Sequence, residues 1–348
     1  MRIVAIGGGT GLSTLLRGFK LHVAGAGRSA PLQPTISRLT AVVTVTDEGG
    51  SSGRLRREFR IPPPGDIRNC LVALAEDEKL FTKLFNFRFS SRGGLGGHSF
   101  GNLFLAALTN LTRDFARSVH LCSDILAIRG EIFPSTLADV RLKARLRDGQ
   151  TLYGESRISK TRVPIRRLSI VPARCRPLPE TLAAIEQADL ITLGPGSLYT
   201  SLIPNLLVQG ISEHIARAQA LKVYVCNLMT QPGESLHYTA AQHLRAIARH
   251  GGGNLFDRIV LNTQALPRAL ARRYATEQAE PVVNDLEEIR ALGVEPLLAE
   301  LLVQEDRVAR HDSRRLVQLL LDLAARQGEP SATSLEGGGL PPPFAGHA

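Results

Sequence analysis

Short apolar runs in this chain repeatedly end in clusters of glycine, serine, threonine and asparagine, and most of these clusters lead into a segment of helical character. Arg2–Ile6 runs into Gly7–Gly11, and Leu12–Lys20 reads as the helix that follows. Leu39–Val45 ends at Thr46–Gly53, a polar loop. Leu190–Leu193 ends at Gly194–Ser197, Lys222–Cys226 at Asn227–Thr230, and Arg258–Leu261 at Asn262. Strands alternating with helices build a mostly parallel sheet covered on both faces. Ligands of such open sheets sit outside the carboxyl ends of the strands, near the point where strand order reverses. The recurrence of small polar residues at several strand ends therefore predicts a phosphorylated ligand at one shared site.

Further helices are expected over Asp66–Ala75, where Ile67, Leu71 and Leu74 fall at helical spacing, and over Asn102–Leu111, Thr181–Ala188, Ile211–Ala220, Leu236–His250 and Arg314–Ala325. From Glu131 to Val171 the texture changes. Val140–Leu146, Leu152–Ser156 and Leu168–Val171 read as short strands, with Asp148-Gly149 as a hairpin turn. The expected organisation is one domain over residues 1–326, carrying a β-rich antiparallel insertion at 131–178. The Gly- and Pro-rich tail 327–348 is expected to be disordered.

Composition narrows the function classes. Hydrophobic residues make up 43% of the 348 residues, enough for a sizeable core. No uncharged apolar run is long enough to span a membrane, and the amino terminus lacks the apolar core of a signal peptide, so a cytoplasmic protein is expected. Cys70, Cys122, Cys175 and Cys226 form no CxxC pair, which argues against zinc and disulfides. The net charge of +10 is mostly arginine and falls in no single long run. It reads as an arginine-rich surface or as local phosphate recognition, with nucleic acid unexpected as a partner.

The first loop, Gly8, Gly9, Thr10 and Gly11 with Ser13, lets backbone amides approach an anion, and the following helix adds its positive end. It is neither a clean GxGxxG nor a Walker A loop, and a turn of this kind can also be purely structural. In the second loop, Asp47 and Glu48 can hold Mg²⁺ together with phosphate and water, or position a nucleophile, while Ser51, Ser52 and Arg54 can donate to phosphate. Asp66 opens a helix and suits an N-cap, with Arg68 and Asn69 within reach of a ligand. His98 stands between glycines before Asn102, placed to act as a donor or a base. Gly194, Gly196 and Ser197 form a second anion-cradle candidate, and Asn227, Thr230 and Gln231 can read a base or sugar. Asp312 after Arg310-His311 suits an N-cap.

In order along the chain, these segments resemble the YvcK/CofD-like family. They are Gly7–Ser13, Val43–Arg54, Gly65–Asn69, Gly97–Asn102, Leu193–Thr200, Cys226–Glu234 and Arg310–Asp312, and the last two favour the gluconeogenesis-factor branch. The resemblance implies a Rossmann-like CofD-type fold and a UDP-sugar-binding regulator of cell shape during gluconeogenic growth, with a protein partner in cell-wall synthesis. The other branch, 2-phospho-L-lactate transferase, implies Mg²⁺-dependent transfer from a nucleoside diphosphate-linked donor, with Asp47, Glu48 and His98 as its catalytic groups here and Asp47 as a metal ligand. Glu48 departs from the aspartate pair expected of the family, which shifts one carboxylate by a methylene. An NAD-dependent oxidoreductase is suggested by the first glycine loop alone. A homo-oligomer is compatible with all three readings.

Overall fold

The computed structural model describes residues 1–24, 32–33, 35–90, 93–305 and 307–328. Its strands are β1 (Arg2–Gly7), β2 (Arg38–Val43), β3 (Glu131–Pro134), β4 (Arg141–Leu146), β5 (Thr151–Tyr153) and β6 (Ile165–Val171). They continue with β7 (Leu190–Leu193), β8 (Leu221–Val225), β9 (Arg258–Asn262), β10 (Glu295–Ala299), β11 (Leu302–Glu305) and β12 (Val308–His311). Seven of them form one sheet in the order β10-β9-β8-β7-β1-β2-β3, and every pairing in it is parallel. The fold is therefore the α/β architecture expected, with helices on both faces.

Side chains alternate across a strand, and here each side has its own apolar layer. Ile3, Ala5, Ala41 and Val43 pack with Leu12, Leu16, Ile67, Leu71 and Leu320. Val4, Ile6, Val42 and Leu193 pack on the opposite face with Leu198, Ile185 and Ile203. The second layer also receives Leu142, Ala144, Leu168 and Ile170 from a three-stranded antiparallel sheet ordered β5-β4-β6. That sheet contains the expected Asp148-Gly149 turn, in which the Gln150 N–H donates to Asp148 Oδ1 at 3.0 Å. The four cysteines are buried and unpaired. Among the described residues no helix is long and apolar enough to cross a membrane.

Four expectations change. Glu131–Pro134 does not open the insertion but pairs with β2 as an edge strand of the main sheet. Its four residues are only half buried, as suits a strand at the sheet edge. The polar loop after β2 is shorter than expected, because a helix starts at Gly50 and runs to Phe59. Gly-Ser-Ser-Gly has low intrinsic helix propensity, and burial of Leu55 and Arg56 overrides it. The strand expected to reach Ser156 stops at Tyr153. Gly154, at φ +89, turns the chain into a short helix, Glu155–Ile158. The last helix, Ser313–Gly328, runs into the segment expected to be disordered, and residues 329–348 lie outside the described residues.

Candidate functional site

The chain leaves β1 for β2 and β3 on one side, then returns to β7 on the other, so strand order reverses between β1 and β7. Loops diverging from the two sides open a crevice there. A cavity of about 500 Å³ occupies it, within the range of small-ligand sites. Its floor is Gly8–Gly11 after β1, Pro195–Gly196 after β7 and Asn227–Gln231 after β8. Glu155 and Ser159 of the insertion also line it, as do Tyr274, Glu277 and Arg310.

The helix Gly9–Lys20 begins without a side-chain cap and without an acidic residue in its first turn. Its leading amides have no partner within the helix. Asp66 takes the Gly9 N–H, which leaves Thr10 and Gly11 at the cavity. Gly11 also joins the two halves of the site, since a Cβ there would lie 2.2 Å from the Pro195 carbonyl oxygen. Asn227 clasps the other loop, accepting from the Gly196 N–H at 3.0 Å and donating to the Gly196 carbonyl at 2.7 Å. Gln231 Nε2 donates to Ser197 Oγ at 2.9 Å, while its Oε1 is buried without a partner. Thr230 Oγ1 accepts from the Glu280 N–H.

The second cradle is partly filled by the protein itself. Glu234 accepts from the Tyr199 and Thr200 amides at 2.7 and 3.1 Å and from Thr200 Oγ1 at 2.6 Å. Burial raises the Glu234 pKa, and these hydrogen bonds pull against that rise. The helical amides after Ser197 therefore already serve a carboxylate.

Several predicted site residues form a separate polar network that does not line the cavity. Asn102 donates to Ser51 Oγ at 3.1 Å and to Ser52 Oγ at 3.4 Å, and accepts from Arg68. Arg68 also donates to Ser99 Oγ and to Asn69 Oδ1, both at 2.7 Å. His98 Nδ1 meets Ser51 Oγ at 2.9 Å, and Arg54 donates to the Gly96 carbonyl at 2.6 Å. Burial first, and Arg54 second, lower the His98 pKa, so the ring is neutral at neutral pH. Ser13 donates to the Thr10 carbonyl and the Gly194 N–H to the Ile6 carbonyl at 3.0 Å, and neither residue lines the cavity.

The expected acidic pair separates. Glu48 forms ion pairs with Arg141 at 2.8 Å and Arg56 at 3.6 Å, which ties the second loop to the insertion. Asp47 instead adds its charge to that of two other carboxylates. Asp66 is pushed up to about 7 by burial and then by the charge of Asp47. Glu155 is also raised, by burial and then by Asp47. Asp66 does not cap its helix, where Pro64 holds the cap position. No three His, Cys, Asp or Glu side chains among the described residues are arranged to hold a metal. Asp47 with Asp66 matches the one or two carboxylates that Mg²⁺ takes when phosphate and water complete its shell. Sequence reasoning missed Glu155, Tyr274 and Glu277. They enter from the insertion and from a late helix, with no motif to mark them.

The architecture defines a doubly wound α/β protein with a polar crevice at its switch point. The family described as 2-phospho-L-lactate transferase CofD matches residues 3–302, and the chain belongs to that CofD family. It is 48% identical over 322 residues to the gluconeogenesis factor of Bacillus subtilis (strain 168), covering 92% of this chain and 98% of that protein. It is 45% identical to the gluconeogenesis factor of Halalkalibacterium halodurans, covering 95% of this chain and 98% of that one. A crystal structure of a Bacillus halodurans protein, described as a member of the UPF0052 family, superposes with a TM-score of 0.85 at 45% identity. That match covers 92% of this chain and 99% of the other.

Proposed function

We propose that the protein is a cytoplasmic, UDP-sugar-binding regulator that sustains cell shape during gluconeogenic growth through a protein partner in cell-wall synthesis. The supporting observation is the distribution of groups around one cavity. Among its lining residues Arg310 is the sole arginine or lysine, and Tyr274 is the sole phenolic or phenyl ring. A diphosphate needs a guanidinium and free amides, which Arg310, Thr10 and Gly11 supply. A nucleobase needs an apolar face, which Tyr274 supplies. Arg310 Nη1 lies 3.1 Å from Thr10 Oγ1, so the cation stands beside the amide cradle. The relatives' name, gluconeogenesis factor, supports the physiological part of the proposal.

UDP-N-acetylglucosamine is expected to raise the melting temperature, adding about 2.7 kcal/mol at a concentration near one hundred times its dissociation constant. Arg310→Ala is expected to weaken that binding by about tenfold or more, since hydrogen bonds to charged groups are worth roughly 1.5–3 kcal/mol. A thermal melt reads the first and calorimetric titration the second. Absence of a shift with every uridine nucleotide would overturn the reading.

The Asp47–Asp66 pair favours a second reading, a Mg²⁺-dependent transferase using a nucleoside diphosphate-linked donor. In that reading the two aspartates hold the cation, which neutralises phosphate charge. Mg²⁺-dependent release of a nucleoside monophosphate supports it, whereas donor that is bound and recovered intact supports the regulator.

A further inference from the structure

One stretch of the chain is strongly basic. Residues 141–176 carry eleven arginines and lysines against Asp148 and Glu155, a net of +9 of the chain's +10. Strand alternation interleaves the cations of β4 with buried apolar residues. On β4, Leu142, Ala144 and Leu146 face the core, while Arg141, Lys143 and Arg145 face outward.

Register then sets like charges together. Arg145 on β4 pairs directly with Arg167 on β6, and both are exposed. Like charges directly opposite one another on a sheet are destabilising. Apart from the Arg141–Glu48 pair, none of the eleven cations has an ion-pair partner among the described residues. Beside the arginine pair, Lys143 pairs with Tyr153 on β5, its Nζ lying 5.6 Å from the ring centroid. Tyr153 is 46% exposed, which leaves part of the ring open to solvent.

We propose that the outer face of the β5-β4-β6 sheet binds single-stranded nucleic acid. Nine of the eleven cations are arginines, whose planar fork matches phosphate oxygens bidentately. A phosphodiester chain crossing the face relieves the Arg145–Arg167 repulsion, and a base stacks on Tyr153, the pairing of cationic groove and aromatic platform that single strands use. The exposed Tyr153 ring favours a single strand, whose unstacked bases are free to stack on it. Val171 and Tyr153 are the only large apolar side chains exposed on its strands, so there is little to insert into a lipid surface.

Fluorescence anisotropy with a labelled oligouridylate of about 16 nucleotides tests the proposal, titrated between about 50 and 200 mM salt. Binding that weakens with salt is expected. The double variant Arg145→Glu, Arg167→Glu is expected to reduce the salt slope by about 1.4, at roughly 0.7 per single-strand phosphate contact. Tyr153→Ala is expected to weaken binding by about tenfold with the salt slope unchanged. All variants are first matched to the wild type in melting temperature and UDP-N-acetylglucosamine binding, so the outcome is independent of the cavity. No binding at the lowest salt, or binding indifferent to the charge reversal, overturns the proposal. So does binding to phosphatidylserine vesicles with none to the oligonucleotide, which would assign the face to membrane.

Discussion

Gly11→Ala is expected to abolish ligand binding while leaving a folded, less stable protein. The added Cβ would sit 2.2 Å from the Pro195 carbonyl oxygen, 2.7 Å from its carbon and 3.1 Å from the Gly196 nitrogen. All three are backbone atoms, so no rotamer relieves the clash and the loops after β1 and β7 must separate. Overpacking of this kind costs about 1–3 kcal/mol. Alanine in a helix returns about 1 kcal/mol over glycine, so the net loss of stability is modest. Binding suffers far more, because both loops floor the same cavity and their separation withdraws the Thr10 and Gly11 amides from Gly196. Gly9→Ala provides the contrast. At φ +63 it costs about 1–2 kcal/mol in backbone strain, yet its Cβ meets only Ser201 Oγ at 3.7 Å. Urea unfolding and calorimetric titration of both variants separate the effects. Gly11→Ala that binds UDP-N-acetylglucosamine like wild type would show that the two loops do not act as one site.

That contact joins residues far apart in sequence, and it marks the boundary of what the sequence reveals. β1, β2, β7, β8 and β9 are legible because strands buried on both faces read as continuous apolar runs. β3 and β10 are edge strands, and β10 carries Glu295 and Pro296, so neither shows such a run. The glycine loop at Gly8–Gly11 is legible for the same local reason. Ser51, Ser52, His98 and Asn102 look equally reactive in sequence, but the structure spends them on one another, because buried polar groups must be hydrogen-bonded. Glu48 looks like a partner to Asp47 until the insertion brings Arg141 against it. Glu155, Tyr274 and Glu277 reach the cavity only through long-range packing, which leaves no periodicity to detect.

Asp66 gives the second large effect. Asp66→Asn is expected to match the wild type in stability below about pH 4 and to exceed it above about pH 7, both measured in EDTA. The native carboxyl, raised from 3.8 to about 7, holds its proton across an interval in which the unfolded chain has lost it. Over that interval the native state binds more protons, so stability falls as pH rises. A rise of that size corresponds to an upper limit of about 4 kcal/mol, reduced by solvent that reaches the half-buried carboxyl. Asparagine carries no charge to repel Asp47 and keeps an oxygen for the Gly9 N–H. Other groups overlap this range: buried His243 and His311, lowered to about 4, add stability as pH rises, and Glu155 and Glu234 act in the same direction as Asp66. The difference between the wild-type and Asp66→Asn denaturation midpoints isolates the Asp66 share, and a difference that stays flat with pH would refute it. A cation between Asp47 and Asp66 cancels the same repulsion. Above pH 7, Mg²⁺ is therefore expected to stabilise the wild type and leave Asp66→Asn unmoved. Equal stabilisation of both proteins would place the cation elsewhere and remove the main support for the transferase reading.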